Sequence, residues 1–443
     1  MRAVSLFSGA GGMDLGFAEV GFDIVRSIDN DHAAAAVHKF NFDSDALVAD
    51  ITTVDFTRWA QELGDVDVVL GGFPCQGFSK AGTKKQDDPR NKLYRAMRDA
   101  VRDLNPSYFV AENVEGLVQN FNGQFLKMIE KDFGVIGYDV EVRLLDAIGF
   151  GTPQYRRRII FVGIRQDYQN LPFVWPLPKN MVKVRNGETK RPKAMSSSLH
   201  GLLEGGLFAQ REPLNISDAI SDLLDLSSDV PDHAILDDWP ESYVHVIKAI
   251  GPGQKLCNVR HSSESVRTWD IPAAFGEVKA NERYVLETIA RNRRHKKYGS
   301  LPNGNPLPVS VIEELTGLPH LEPLLSHLVE SGYLKSKNGG YDLLGGLFCS
   351  GLFKRPKWNE PSPTVLTNYW NPRYFIHPIK DRPFSLREVA RLQGFPDSFH
   401  FTASGISLVD GYRLVGNAVP PPLAKALAES IAKGLRPSLW ASA

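Results

Sequence analysis

Cysteine is scarce in this chain of 443 residues: it occurs at positions 75, 257 and 349, far apart and with no Cys-x-x-Cys pair. That spacing argues against a structural zinc site or a disulfide framework and fits a reducing cytoplasm. No metal is expected. Long apolar runs are missing too, since nothing approaches the roughly 18 consecutive apolar residues of a membrane span. Met1 to Leu6 lead straight into a strand-like pattern, so no signal peptide is indicated. Neither charge sign is in excess, with 51 basic against 51 acidic residues. Global electrostatics therefore neither signals nor excludes nucleic acid, because binding phosphates needs only one basic face. Local basic clusters do exist, at Arg156-Arg157-Arg158 and at Arg291, Arg293, Arg294, Lys296 and Lys297, although an isolated run of this kind is more often a solvated surface than a site. The length exceeds that of one hydrophobic core and predicts two or three domains.

What the chain does contain is most telling at Gly71 to Ser79, Gly-Gly-Phe-Pro-Cys-Gln-Gly-Phe-Ser, directly after the mostly apolar run Val66 to Leu70. An open α/β sheet presents a nucleophile at such a place. Pro74 fixes its own φ and Gly77 permits sharp curvature. Taken alone, Cys75 is as often a packed residue as a reactive one. Upstream, Val4 to Phe7 reads as a buried strand, Ser8 to Gly12 as a glycine loop, Met13 to Val20 as a helix and Phe22 to Ile28 as a second strand. Together they make a βαβ unit. Asp14 stands where a dinucleotide fingerprint would place its third glycine, so pyrophosphate is a weak fit and a nicotinamide oxidoreductase is disfavoured. Asp29, at the tip of the second strand, suits a carboxylate accepting ribose hydroxyls; capping a helix over His32 to Phe40 is its other reading. Asp50 and Ile51, after the strand-like run Ala46 to Ala49, could hold an adenine between an acceptor and an apolar surface.

Five motifs stand in order along the chain: Phe7-Ser8-Gly9-x-Gly11-Gly12, Pro74-Cys75-Gln76, Glu112-Asn113-Val114, Gln154-x-Arg156-x-Arg158 and Gly416-Asn417-Ala418-Val419-Pro420. With them the chain resembles the DNA (cytosine-5) methyltransferases of bacterial restriction-modification type, over roughly residues 1 to 165 and 380 to 435. Pro361-Ser362-Pro363-Thr364-Val365 looks like the end of that family's target-recognition region. The resemblance implies S-adenosylmethionine as donor, S-adenosylhomocysteine as product and carbon 5 of a cytosine in double-stranded DNA as acceptor. The fold it implies is α/β, a Rossmann-like S-adenosylmethionine-dependent methyltransferase domain over 1–165 plus 381–443 with a separate mixed target-recognition domain over 166–380. Carried over by position, Phe7, Gly9, Gly11, Gly12, Asp29, Asp50, Ile51 and Pro74 would line the cofactor site, joined from the far end of the chain by Asn417, Ala418 and Val419.

Carbon 5 of cytosine is a poor nucleophile until a nucleophile adds at carbon 6, a step a thiolate performs well. Cys75 is the candidate. Addition pushes electron density onto ring nitrogen 3, where a carboxyl group lowers the barrier by hydrogen bonding or protonation. Glu112, after the apolar strand Tyr108 to Ala111, fits that task if burial raises its pKa; capping the following turn is its bland reading. Asn113 is expected to brace the turn. Arg156 and Arg158, on a strand Arg158 to Gly163 and the residues leading into it, could polarise the cytosine carbonyl and hold Cys75 or Glu112, with Arg158 the stronger candidate and Arg157 pointing away by alternation. The base must leave the helix stack, and Ser79 to Asn91 reads as a loop able to close over it. No protein base for removing the carbon-5 proton is identifiable.

Residues 166 to 380 change character, with several prolines between Pro172 and Pro192 and a serine-rich patch at Ser196 to Ser198. Within them, helical spacing over Glu277 to Arg291, a short helix Val309 to Leu315, a turn at Thr316-Gly317, a helix Glu322 to Ser331 and a hairpin pattern over Gly332 to Leu343 suggest a winged helix-turn-helix insertion at 277–343. An irregular helical insertion that only packs is the competing reading. Arg387 to Gly394 reads as an amphipathic helix with a glycine stop, and Pro421 to Leu435 as a C-terminal helix packing beside the first strand. Double-stranded DNA is the expected partner, with no membrane involvement, a monomeric state and a cytoplasmic, nucleoid-associated location in a bacterium. An enzyme acting on transfer RNA is a further reading, though its usual Cys-Phe-Thr is missing. A DNA-binding regulator without catalysis is another, against which intact Cys75, Glu112 and Arg158 speak.

Overall fold

The computed structural model describes residues 1–74, 92–119, 124–168, 173–180, 211–301, 304–344 and 351–435. Cys75 and the expected loop over 79–91 lie outside them, as does the serine-rich patch. The chain divides into two compact units: Met1–Ala234 with Asn359–Asn368 and Ser385–Ala443, and Ile235–Trp358 with Tyr369–Phe384.

The first unit is built on a seven-stranded sheet. Its strands are β1 (Arg2–Leu6), β2 (Asp23–Asp29), β3 (Asp45–Val48), β4 (Val68–Gly71), β5 (Tyr108–Val114), β6 (Tyr138–Asp146) and β7 (Arg157–Arg165), in the spatial order 3-2-1-4-5-7-6. The first five pair in parallel, and β7 is inserted antiparallel between β5 and β6. Strand order reverses beside β1, and at such a reversal an open α/β sheet leaves a crevice outside the carboxyl ends of its strands. The helices are α1 (Gly12–Ala18), α2 (His32–Asn41), α3 (Phe56–Leu63), α4 (Lys92–Leu104), α5 (Gly116–Gln119), α6 (Gln124–Val135) and α7 (Ile216–Ile220). Near the end of the chain, α13 (Leu386–Gln393), α14 (Leu408–Asn417) and α15 (Pro421–Leu435) complete this unit.

Alternation along the central strands splits the core in two. Val4, Leu6, Val69, Phe109 and Phe161 face one way, against Trp59, Met97, Val101 and Phe133 from α3, α4 and α6. Ala3, Val68, Leu70, Val110 and Ile160 face the other way, against Phe17 of α1 and Leu423, Leu427 and Ile431 of α15. Each large apolar side chain so buried contributes about 1.5–3 kcal/mol. Local signals agree with this packing. Asp31 caps α2 by accepting from the backbone N–H groups of Ala33 and Ala34, and Ser385 and Glu388 form a reciprocal capping box at the start of α13. Gly394 stops α13 in the left-handed conformation, φ 93°.

The second unit holds α8 (Ser242–Ala249), α9 (Pro272–Phe275), α10 (Ala280–Asn292), α11 (Val309–Thr316) and α12 (Glu322–Glu330), with β8 (Lys255–Leu256), β9 (Ser265–Val266) and the antiparallel hairpin β10 (Leu334–Lys337) and β11 (Gly340–Leu343). Leu286, Ile289, Ile312, Leu325, Leu328 and Leu334 form its separate core. The boundary falls at 234/235, not at 166, and 359–368 also belongs with the first unit. The reason is specific tethering. Arg391 of α13 donates to the Ala219 carbonyl and pairs with Asp222, Arg387 pairs with Asp232, and the Ile216 N–H donates to the Glu360 carbonyl.

Candidate active site

The sequence-selected residues of the N-terminal third gather at the carboxyl ends of the parallel strands. Phe7, Asp29, Asp50, Ile51 and Pro74 line one small pocket, together with Leu93 at the start of α4. Asp29 accepts from the backbone N–H groups of Gly9, at 2.9 Å, and of Asp31, at 3.0 Å. It does not cap α2; Asp31 does. Burial pushes the Asp29 carboxyl above the ordinary range, partly offset by those two N–H donors. A carboxylate has about four acceptor directions, so two hydrogen bonds leave capacity for hydroxyl donors. The space beside Gly9 is open, for a Cβ built there meets nothing within 4 Å. Asp50 caps the short turn Ile51–Thr53 through Thr52, whose N–H and hydroxyl hold its carboxyl below the usual range. An acid with spare acceptors, an apolar wall at Phe7 and Ile51, and room beside a glycine suit a nucleoside better than a phosphate.

Other cofactor candidates serve the loop instead of lining that pocket. A Cβ on Gly11 would collide with the Phe42 ring at 2.4 Å, and one on Gly12 would stand 2.3 Å from the Val419 carbonyl oxygen. Ala418 and Val419 are buried against the glycine loop, and Asn417 is exposed at the end of α14. Asp14, the misfit of the dinucleotide pattern, is wholly buried. It accepts from the Ser5 hydroxyl and meets His38 Nε2, each at 2.7 Å, while His38 Nδ1 lies 3.2 Å from the Ser27 hydroxyl. The sequence offered one signal for this network, an acid on the inward face of an otherwise apolar helix.

The second group surrounds the carboxyl end of β5. Glu112 lies within the strand, which runs to Val114, and Arg158 Nε meets its Oε1 at 2.6 Å with both side chains 13% exposed. Glu112 is thus neither isolated in an apolar pocket nor a turn cap. Its other oxygen lies 3.5 Å from the position a Cβ on Gly72 would take, so the carboxylate stands over the segment leading into Cys75. Asn113 ties the same segment, donating to the Phe73 carbonyl at 2.8 Å. Beside the pair, Val114, Glu115, Tyr155, Arg157, Arg158 and Thr364 line an open hollow of about 350 Å³.

Arg156 departs from expectation. It is 1% exposed, and its guanidinium donates to the carbonyls of Val365, Gly416 and Ala418 at 2.9, 2.9 and 3.0 Å. Gln154, also buried, accepts from the Val365 N–H and donates to the Leu392 carbonyl. Within Gln154-x-Arg156-x-Arg158, only Arg158 turns to Glu112; the other two clamp the chain segments around Val365 and Gly416. Arg157 pairs with Glu115 and not with Glu112, although it lines the same hollow as Arg158.

Residues 1–433 match the model of the C-5 cytosine-specific DNA methylases. The chain belongs to that family. Two relatives of this methylase are the Type II methyltransferase M.AgeI of Thalassovita gelatinovora, 31% identical over 97% of this chain and 99% of its own, and M.XorII of Xanthomonas oryzae pv. oryzae, 30% identical over 98% and 85%. A crystal structure of a protein encoded within an E. coli prophage, described as a DNA modification methyltransferase, superposes with a TM-score of 0.54, covering 98% of this chain and 99% of that one at 24% identity. That likeness is one of fold. The methylase therefore has the Rossmann-like α/β architecture of the S-adenosylmethionine-dependent methyltransferases and is a DNA cytosine-5 methyltransferase. Among the described residues, no helix is long and apolar enough to cross a membrane.

Proposed function

We propose that this enzyme methylates one cytosine within a specific duplex sequence through covalent addition of Cys75 to carbon 6 of an extruded base. S-adenosylmethionine, held by Asp29, Asp50 and the apolar wall of Phe7, Ile51 and Pro74, would supply an electrophilic methyl group. The Cys75 thiolate sulfur bonds to carbon 6, and the displaced electron pair reaches ring nitrogen 3, where Glu112, in its protonated form at this step, stabilises it by donating a hydrogen bond or its proton. Arg158 fixes the Glu112 carboxylate and places a permanent positive charge beside the ring. The enamine carbon 5 would take the methyl group, leaving S-adenosylhomocysteine, and then lose its proton to water. The Cys75 sulfur leaves as thiolate, and the aromatic ring is restored. Extruding the base costs a few kcal/mol in unstacking and unpairing. Arg156 is a positioning residue in this scheme, tying together backbone near Val365, Gly416 and Ala418.

One observation carries the proposal: Glu112, paired with Arg158, stands over Gly72 on the segment that leads into Cys75. The names of its relatives support a modification role beside a companion restriction enzyme. Bisulfite sequencing of DNA from cells expressing the protein is expected to reveal conversion-resistant cytosines in one sequence context. None, from folded protein, overturns the assignment. Cys75→Ser should abolish turnover while DNA is still bound, and retained turnover would exclude the covalent route.

A further inference from the structure

Within the second unit the chain runs helix α10, an extended residue Leu307, helix α11, a turn at Gly317, helix α12 and the hairpin β10–β11. Leu307 and Tyr341 exchange both backbone hydrogen bonds at 2.8 Å, adding a third short strand to the hairpin. The tip is Asn338-Gly339, both at positive φ, 51° and 72°, as a tight two-residue hairpin turn requires. This is the order of elements in a winged helix-turn-helix, where the second helix of the pair ordinarily enters the major groove.

The charges contradict that ordinary use. Between Lys297 and Lys335 the sequence has no lysine or arginine, while Glu313 and Glu314 lie on α11, and Glu322 and Glu330 are exposed on α12. A helix presenting carboxylates and no cation is repelled by the phosphates lining the groove it would enter. The hairpin and the end of α10 are opposite in sign. Arg293 donates to both carboxylate oxygens of Asp342 at 2.6 and 2.9 Å, and Lys335 approaches the same carboxylate at 3.7 Å. This buried anchor pins Arg294, Lys296 and Lys297, which follow Arg293, next to the hairpin carrying Lys335 and Lys337. Arg294, Lys296 and Lys337 are exposed, and none forms an ion pair among the described residues.

We infer that this module grips the phosphate backbone of duplex DNA with its wing and the Arg294–Lys297 segment, while α11 and α12 read no bases. The partner is the DNA strand itself, independent of sequence. The inference rests on the reading of the chain as a DNA methyltransferase, which target methylation by the unaltered enzyme checks separately. The test compares full-length enzyme with Lys335→Ala/Lys337→Ala, with Arg294→Ala/Lys296→Ala and with Glu322→Gln/Glu330→Gln, each confirmed folded by its melting curve. Binding to a target duplex and to an unrelated duplex is measured from about 50 to 200 mM salt. Both basic variants are expected to bind the two duplexes about 10-fold more weakly and to the same extent, with the slope of log K against log salt reduced by about 0.9 for each phosphate no longer neutralised. Affinity for S-adenosylmethionine and the methylated sequence remain unchanged, and Lys335→Arg/Lys337→Arg restores binding. Unaltered affinity and slope in both basic variants overturn the inference. So does a changed target sequence, or DNA binding weakened only in the Glu322→Gln/Glu330→Gln variant, since either would place α12 in the DNA contact itself.

Discussion

Arg158 and Glu112 meet at 2.6 Å diagonally across the antiparallel pair β5–β7, where Arg158 lies opposite Val114 and Glu112 opposite Ile160. Diagonal neighbours on one sheet face are within reach of long side chains, so the register itself delivers the guanidinium to the carboxylate.

Arg158→Ala removes the cation and leaves the Glu112 carboxylate half-buried and unpaired. The kcat is expected to fall about 10²- to 10⁴-fold, the range of a missing acid–base contribution. Arg158→Lys keeps the charge but not the planar fork, so it should recover little. Affinity for S-adenosylmethionine, measured by calorimetry, should not move. Near-parental kcat in Arg158→Lys would show that charge alone suffices and that positioning by the fork is unimportant.

Arg156→Ala should behave differently. It strips three buried carbonyls of their donor, a change comparable to breaking a buried charged interaction at about 3–5 kcal/mol. The melting midpoint is expected to drop by at least about 5 °C, with the residual kcat of folded enzyme less affected than in Arg158→Ala. A stable but inactive Arg156→Ala protein would return Arg156 to the reacting centre.

The contrast between these two arginines shows what the sequence could and could not say. Helix and strand positions were legible because local signals agree with them: α15 spans Pro421–Leu435 as read from its pattern, and the glycine stop of α13 stands at Gly394. The grouping of Phe7, Asp29, Asp50, Ile51 and Pro74 around one pocket was legible because these residues sit at consecutive strand ends, each marked by a turn. Arg156 and Arg158 carry the same motif letters two residues apart, and only the distant carbonyls of Val365 and Gly416 decide between clamp and site. The unit boundary was illegible for the same reason, since Asp232–Arg387 and Asp222–Arg391 join residues far apart in sequence.

Cofactor affinity should depend on pH through Asp29. Burial holds its free-protein pKa above the ordinary carboxylate value, and hydroxyl donors from a bound ribose would favour the ionised form and lower it. Affinity is therefore full above the free-protein pKa and declines as pH falls through it, at a pH above the ordinary aspartate value of 3.8. Asp29→Asn should bind about 10-fold or more weakly and with a flattened pH profile. An Asp29→Asn protein with the parental pH dependence of binding would assign the titration to another group.

Gly12→Ala probes how the two ends of the chain meet. A single added methyl would stand 2.3 Å from the Val419 carbonyl oxygen and 3.1 Å from the Ala418 Cβ, both parts of the Gly-Asn-Ala-Val-Pro segment. Backbone at that distance cannot yield without moving Asn417 or the glycine loop, so overpacking of about 1–3 kcal/mol is expected. The melting midpoint and the affinity for S-adenosylmethionine should fall together, because one displacement disturbs both. Gly134→Ala is the matched control: it lies exposed near the end of α6, where a Cβ meets nothing within 4 Å. Better helix propensity should make it neutral or stabilising by up to about 1 kcal/mol with unchanged cofactor binding. Equal melting midpoints for the two variants would mean that the Gly12–Val419 packing is not tight in solution.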